Sequence, residues 1–464
     1  MVGAVPAATR ERRPMPVFEN VLTRRRWTAS KSKRLTGVGV AIRMGIGCLA
    51  VVAMSVGDPA ISAEDGTTVE AIATDAARFA RQLHKSILTI DSHVDVPKKF
   101  GTGPYDPAII EDAQVSFSAM SDGQLDGVFL AVAVGQGPRT QAGYDRAWRQ
   151  ATLMIQNIRQ VARRYPNRVM LATSPEDFAM AEAGGRLAFA IGLENAYAIG
   201  RDVGKLGALF DMGVRYVSLT HIGHNDVADS SNPNPALEDA PELHHGLSRF
   251  GRRVVKELNR LGIVIDVSHA SKPAMLAAVN LSRAPVIASH SGVRAIMDVP
   301  RNLDDQQLRA LASKGGVIQI VGYSPYIAPT SPARDQALKD IGGRLGLVSH
   351  KAWGEATDET IVAYGRGVTE INRTHPPASV ADLVDHIDYV VKLVGIDHVG
   401  VGSDFYAGGG ASAGGLHGWM SARDNVNITV ELLRRGYSKD AIAKIWSGNL
   451  LRVMREAQAA AMHN

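Results

Sequence analysis

Eight short apolar runs, separated by stretches of helical periodicity, constrain the fold of this chain more than any other feature. They are ILTIDSH (87–93), GVFLAVAV (127–134), LAFAIGLE (187–194), RYVSLTH (215–221), IVIDVSH (263–269), PVIASH (285–290), GVIQIV (316–321) and HVGVGSD (398–404). Helical patterns fall over residues 68–86, 142–164, 201–212, 247–261, 304–313 and 380–394. Strands that alternate with helices build βαβ units and so a parallel sheet, because a parallel neighbour is reached only by a long crossover. Eight such units predict an α/β fold, a (β/α)8 TIM barrel.

Six of the eight runs end in side chains that a core would reject: His93 with Asp95 just beyond, Glu194, His221, His269, His290 and Asp404. Each alone has an ordinary structural reading. A histidine at a strand end is commonly just hydrogen-bonded, Asp404 could cap the next loop, and Glu194 could be a surface acid. Those readings predict no shared position, yet in a parallel barrel all C-terminal strand ends meet at the face that carries active sites. Buried charge is costly unless paired or metal-bound, so carboxylates and imidazoles gathered at one rim point to divalent cations. Imidazole and carboxylate are the usual non-thiolate ligands of zinc. His93 and Asp95, two apart on a strand, can address one ion. His269 and His290, from neighbouring strands, can address a second, with the two oxygens of Glu194 shared between them. The pattern suggests a metal-dependent hydrolase with two ions about 3.5–4 Å apart and a bridging hydroxide as nucleophile. No G-x-S-x-G motif and no Cys–His pair offers another nucleophile.

Charge divides the chain. Residues 1–63 hold eight Arg and two Lys against Glu11, Glu19 and Asp58, a net of +7, while the whole chain is +5, so residues 64–464 sum to −2. The basic character belongs to this leader, and the body offers no electrostatic footprint for a polyanion, whether nucleic acid or membrane surface. Arg24-Arg25-Arg26-Trp27, the apolar stretch MGIGCLAVVAMSVG (44–57) and the small residues of PAISA (59–63) read as an export segment. The apolar stretch is short for a membrane span, so a cleaved leader is preferred over a retained anchor. The expected organisation is a leader over 1–63 and a catalytic domain over 64–464, exported to the periplasm or cell envelope, with any membrane association running through the leader. The single cysteine, Cys48, lies in the leader, which removes disulfides, thiolate chemistry and an all-thiolate zinc site from the body.

The stretches DSHVDVP, AIGLEN, YVSLTH, LGIVIDVSHAS, PVIASHS, PRNLDD, DHVGVGSDF and SGNLLRV resemble the membrane dipeptidase (renal dipeptidase) family of zinc peptidases, within the amidohydrolase barrels, over roughly residues 70–457. The resemblance implies two Zn2+ per chain, one on His93 and Asp95, the other on His269 and His290, bridged by Glu194. It implies that His221 contacts substrate and its tetrahedral intermediate, that Arg301 holds the substrate's terminal carboxylate, and that Asp404 handles protons. The implied substrate is a dipeptide with a free C-terminal carboxylate. These roles suit the residue types. An Arg fork grips a carboxylate bidentately, which makes the site measure substrate length. Without the resemblance, Arg301 reads as a surface partner of Asp304 or Asp305.

Two positions depart from the family pattern. Asn195-Ala196-Tyr197 stand where relatives often have two glycines after the bridging Glu, and Tyr406 stands where they often have a second acid. Both bear on substrate preference rather than on metal binding. His224, His244 and His245 read as solvated or rim residues, and Trp446, Leu450 and Val453 as core. The rival readings are an amidohydrolase acting on a lactone, cyclic amide or N-acyl amino acid, and a non-catalytic binding protein on the same barrel. Many of the former bridge their metals with a carboxylated lysine, and no lysine ends a ligand strand here. The oligomeric state, a homodimer included, stays open.

Overall fold

The computed structural model describes residues 77–410 and 414–462; the expected leader over 1–63 lies outside the described residues, as do the start of the helix expected over 68–86 and part of the glycine-rich loop 408–415. The strands are β1 (Ile90–Asp95), β2 (Gly127–Ala133), β3 (Val169–Leu171), β4 (Leu187–Glu194), β5 (Val214–Ser218), β6 (Val264–Asp266), β7 (Ile287–Ser291), β8 (Val317–Val321), β9 (Val399–Gly402) and β10 (Phe405–Tyr406). All eight expected runs form strands, and every pairing between neighbours is parallel.

The sheet runs β10-β1-β2-β4-β5-β6-β7-β8-β9, with β3 added beside β4. It closes through the chain itself. β9 pairs with β8, and only Ser403 and Asp404 separate it from β10, which pairs with β1 through Val94–Phe405 and Asp95–Tyr406. Split strands β9 and β10 thus act as the eighth stave of the (β/α)8 barrel. The strands are apolar on both faces, as a helix-covered parallel sheet requires; β4 is buried from Ala188 to Glu194.

Helices 141–164, 205–211, 249–261, 305–313 and 380–394 match the sequence reading closely. The C-terminal helix Asn449–Met462 plugs the lower end of the barrel, where Leu450, Val453 and Met454 pack with Ile90, Phe129, Val264, Ile287 and Val317. With Trp446 also buried, the core assignment of this segment holds. Sequence patterns named no element between β8 and residue 380. That crossover carries helices Pro332–Arg344, His350–Glu355 and Asp358–Thr374 around a small core of Ile341, Leu347, Tyr364 and Val368. It is pinned to the exit of β1 where Asp358 accepts from the amides of Lys98 and Lys99 at 3.0 and 3.1 Å. Among the described residues, no helix is long and apolar enough to cross a membrane.

Candidate metal centre

The barrel mouth brings the predicted residues together. His93 and Asp95 lie on β1, Glu194 ends β4, and His290 lies on β7. His221 and His269 each stand three residues past β5 and β6, and Asp404 sits at the break between β9 and β10. His269 and Asp404 have φ of 66° and 61°, and Asn195, next to Glu194, has φ 79°. Left-handed backbone is unfavourable for residues with a Cβ and is held only where surrounding contacts impose it, commonly at functional sites. At Asp404 the imposing contact is visible: its amide donates to the His93 carbonyl at 3.0 Å.

His93 Nε2 lies 3.6 Å from Asp95 Oδ1, 3.7 Å from Glu194 Oε2 and 3.9 Å from Asp404 Oδ1. His269 Nε2 and His290 Nε2 are 3.1 and 3.4 Å from Glu194 Oε1 and 3.0 Å from each other. The His221 ring centre is 4.4 Å from that of His269. Three groups, His93–Glu194–His290, Glu194–His221–His269 and His93–Asp95–Asp404, each keep their ligand atoms within 4.8 Å. Glu194 therefore stands between two halves of the site, and His221 and Asp404 are as close as the residues expected to be ligands.

The donor set fits divalent cations. His93 Nε2, Asp95 Oδ1, Glu194 Oε1 and His269 Nδ1 are buried without a hydrogen-bond partner, although His269 Nε2 lies close to Glu194 Oε1. That contact lacks hydrogen-bond alignment, so proximity alone does not satisfy the carboxylate. Four such atoms in one place would each cost free energy if nothing met them. Electrostatics agree. Burial, with Arg301 nearby, drives His269 and His290 well below the usual imidazole range, toward the neutral form that ligates metal. Burial raises Asp95, and burial with the adjacent Asp95 carboxylate lifts Asp404 to about 7. Burial opposes the charge on His93 and Glu194 too, but their mutual attraction, with His221 on Glu194 and Asp95 on His93, outweighs it; His93 is raised and Glu194 lowered.

Arg301 is 3% exposed, not a surface residue. Its guanidinium donates to Ser291 Oγ and the His290 carbonyl, both at 2.6 Å, and its Nε has no partner. The surface-pair reading is ruled out, because Asp304 pairs with Lys272 and Asp305 accepts from Tyr389. Arg301 has no ion-pair partner among the described residues, so its charge faces the mouth. The loop that carries it is folded back by Asn302, whose side chain accepts from Gly292 N and donates to the Met297 and Tyr326 carbonyls.

This geometry has counterparts. The profile of the family described as membrane dipeptidase (peptidase family M19) matches residues 77–464. The chain belongs to that family. Among relatives, "Dipeptidase aclJ" of Aspergillus oryzae is 30% identical over 352 residues, covering 75% of this chain and 71% of that protein. "Dipeptidase tcpJ" of Claviceps purpurea is 28% identical over 351 residues, covering 75% and 70%. The crystal structure of the probable dipeptidase PvdM from Pseudomonas aeruginosa superposes with a TM-score of 0.73 at 35% identity, covering 84% of this chain and all of that one. The barrel is therefore that of a membrane-dipeptidase-type metallopeptidase, and its mouth carries candidate metal-ligand clusters.

A layer beneath the mouth of this dipeptidase-family barrel was not legible as such in the sequence. Tyr216 Oη lies 2.9 Å from His93 Nδ1 and Ser289 Oγ 2.9 Å from His290 Nδ1, which turns both Nε2 atoms toward Glu194. Tyr216 reaches His93 only because residue 192 is glycine: a Cβ there would sit 2.0 Å from the tyrosine ring. Asp266, fully buried, accepts from Ser218 Oγ, Ser289 Oγ and the amides of Ser268 and Ser289, tying β5, β6 and β7 together under the histidines. The one available signal was a buried acid inside IVIDVSH, and the sequence reading passed over it.

The remaining histidines stay outside the site. His224 is buried rather than solvated; it accepts from Ser230 N and lies 2.8 Å from the Ala240 carbonyl, holding the loop after β5. His244 similarly lies 2.9 Å from the Asn225 carbonyl, and exposed His245 pairs with Glu242. Tyr406 fills the position of the expected second acid, with Oη 3.5 Å from Asp358 Oδ1.

Proposed function

We propose that the protein is a binuclear zinc dipeptidase acting on dipeptides with a free C-terminal carboxylate. The observation that carries this is the pairing of orphaned ligand atoms at the mouth with a buried, unpaired Arg301 beside them. His93 and Asp95 would hold one ion and His269 and His290 the other, with Glu194 between. When bound, the ions would polarise the scissile carbonyl and make water acidic enough to attack near neutral pH.

The chain's own residues do the rest. Arg301 anchors the substrate carboxylate and so sets the distance to the scissile bond. His221 donates to the oxygen that gains charge as the carbonyl is attacked. Asp404 accepts the proton of the attacking water and returns it to the leaving amine, a role suited to a carboxyl with a raised pKa. The C–N bond breaks, and two amino acids leave. The leader over 1–63 directs export, with residues 64–464 as the working domain.

Metal content of the purified protein, measured beside hydrolysis of dipeptides, tripeptides and N-acyl amino acids, tests this reading. About two zinc ions per chain and a preference for dipeptides are expected. Preference for tripeptides or for blocked C-termini would remove the carboxylate clamp.

A further inference from the structure

The outer helix Arg249–Leu261 presents a face that the function above does not use. Its inner side buries Gly251, Val254, Val255 and Leu258 against the barrel. Its outer side carries Arg249, Arg252, Arg253, Lys256 and Arg260, all exposed. The spacing of three, four, seven and eleven residues from Arg249 keeps them in one stripe. Glu257 is the sole acid of the helix, and it is taken up by Arg260 through bonds of 2.6 and 2.9 Å. Arg249, Arg252, Arg253 and Lys256 have no ion-pair partner among the described residues. Several other outer cations do, Arg201 with Asp226, Lys272 with Asp304 and Arg294 with Asp298, whereas exposed Arg146, Arg149 and Arg163 also lack one among the described residues but are spread along the longer helix 141–164.

The stripe extends sideways. Exposed Arg283, also unpaired, joins Arg253, Lys256 and Arg260 around a shallow groove of about 530 Å³ floored by Val203 and Leu281. Uncompensated like charge on one helix destabilises it unless something opposes it. It also stands out against a body whose net charge is −2 by sequence. The overall balance of residues 64–464 concealed this local excess.

We propose that this face docks on an anionic phospholipid bilayer. The stripe is about 17 Å long, and its exposed, unpaired cations complement an anionic surface. It offers no exposed aromatic platform on which nucleic-acid bases could stack, Phe250 being half-buried beneath Arg253. Each cation at such a surface adds attraction that fades within a Debye length. The helix begins at the loop after β5, on the catalytic side of the barrel, so docking along it lays the barrel on its flank and leaves the mouth open to soluble substrate.

The test is co-sedimentation of the full chain with vesicles of phosphatidylcholine alone or with about 30% phosphatidylglycerol. Binding to the anionic vesicles only, lost at about 0.5 M NaCl, is expected. The variant R249Q/R252Q/R253Q/K256Q, with the leader intact, should bind at least about tenfold less while hydrolysing dipeptide at the wild-type rate. Undiminished binding by that variant would assign attachment to the leader and overturn the proposal. So would equal binding to both vesicle types, or binding of DNA without binding of anionic vesicles. Should the variant fail to fold, arginine-directed labelling of the wild type decides. Vesicles should protect Arg249, Arg252 and Arg253 but not Arg149 and Arg163 on helix 141–164, and equal protection of both sets sinks the idea.

Discussion

Two buried histidines nine residues apart, His84 and His93, show what separates a structural imidazole from a functional one. His84 sits on the flank, on the helix over 77–85. Its Nδ1 is 2.7 Å from Thr429 Oγ1, its Nε2 is 3.2 Å from the Gly123 carbonyl, and its ring packs edge-on to Trp446 at 5.0 Å. Nothing is left over. His93, at the mouth, has one nitrogen held by Tyr216 and the other facing three carboxylates without a hydrogen bond. Burial is complete for both. The difference lies in whether the surroundings finish the hydrogen bonding or leave it open for a ligand, and a protein tolerates the second state only where something fills it.

The comparison breaks most readily at Glu194. Glu194→Gln keeps the shape but removes the charge shared by both halves of the mouth. It should cost bound metal and lower kcat/KM by about a thousandfold or more, read by metal analysis and dipeptide hydrolysis. Full metal content with full turnover would show that the mouth is as self-sufficient as the flank.

Next in size is Arg301→Gln. Loss of the clamp should reduce kcat/KM for free dipeptides by about a hundredfold, with little change for C-terminally amidated substrates. An equal loss on both substrates would mean that Arg301 supports the fold, as His84 does.

Tyr216→Phe tests the layer beneath His93. Removing the hydroxyl should weaken metal affinity by about 10–100-fold, with the barrel still folded by circular dichroism. Gly192→Ala should have a related effect by displacing the same ring.

The smallest effect on activity belongs to the flank. Burial lowers the pKa of His84 from 6.5 to about 4. The folded protein therefore keeps it neutral while the unfolded chain takes up a proton below about 6.5, so its contribution is present above that pH and is lost as pH falls from about 6.5 toward 4. The slope is at most about 1.4 kcal/mol per pH unit. His84→Gln should lower stability near pH 8, flatten its fall between those limits in denaturant titrations, and leave the rate of dipeptide hydrolysis unchanged. A variant that loses activity without losing stability would blur the distinction drawn here.

Much of this was legible in the sequence because it is local. Period-two and apolar runs fall on eight barrel strands, and polar residues at their ends need only the parallel rule to be brought to one rim. That His93, Asp95, Glu194, His269 and His290 would gather at one rim was readable for the same reason. The crossover helices between β8 and residue 380 were not, since their small core is assembled from residues that show no period in isolation. His224 looked solvated because a polar loop gives no sign that Ser230 and Ala240 will close around it.

The sequence by itself determined the order of the eight barrel strands and of the helices between most of them, the chemical kind of the groups at the strand ends and the family of the chain. Tertiary structure decided how strands β9 and β10 close the barrel around a left-handed Asp404, that Arg301 is buried and unpaired, that Tyr216 crosses Gly192 to orient His93, and that four cations stand together unopposed on one outer helix. The physical reason is that residue type and period are properties of neighbours along the chain, whereas whether a polar atom finds a partner depends on groups hundreds of positions away.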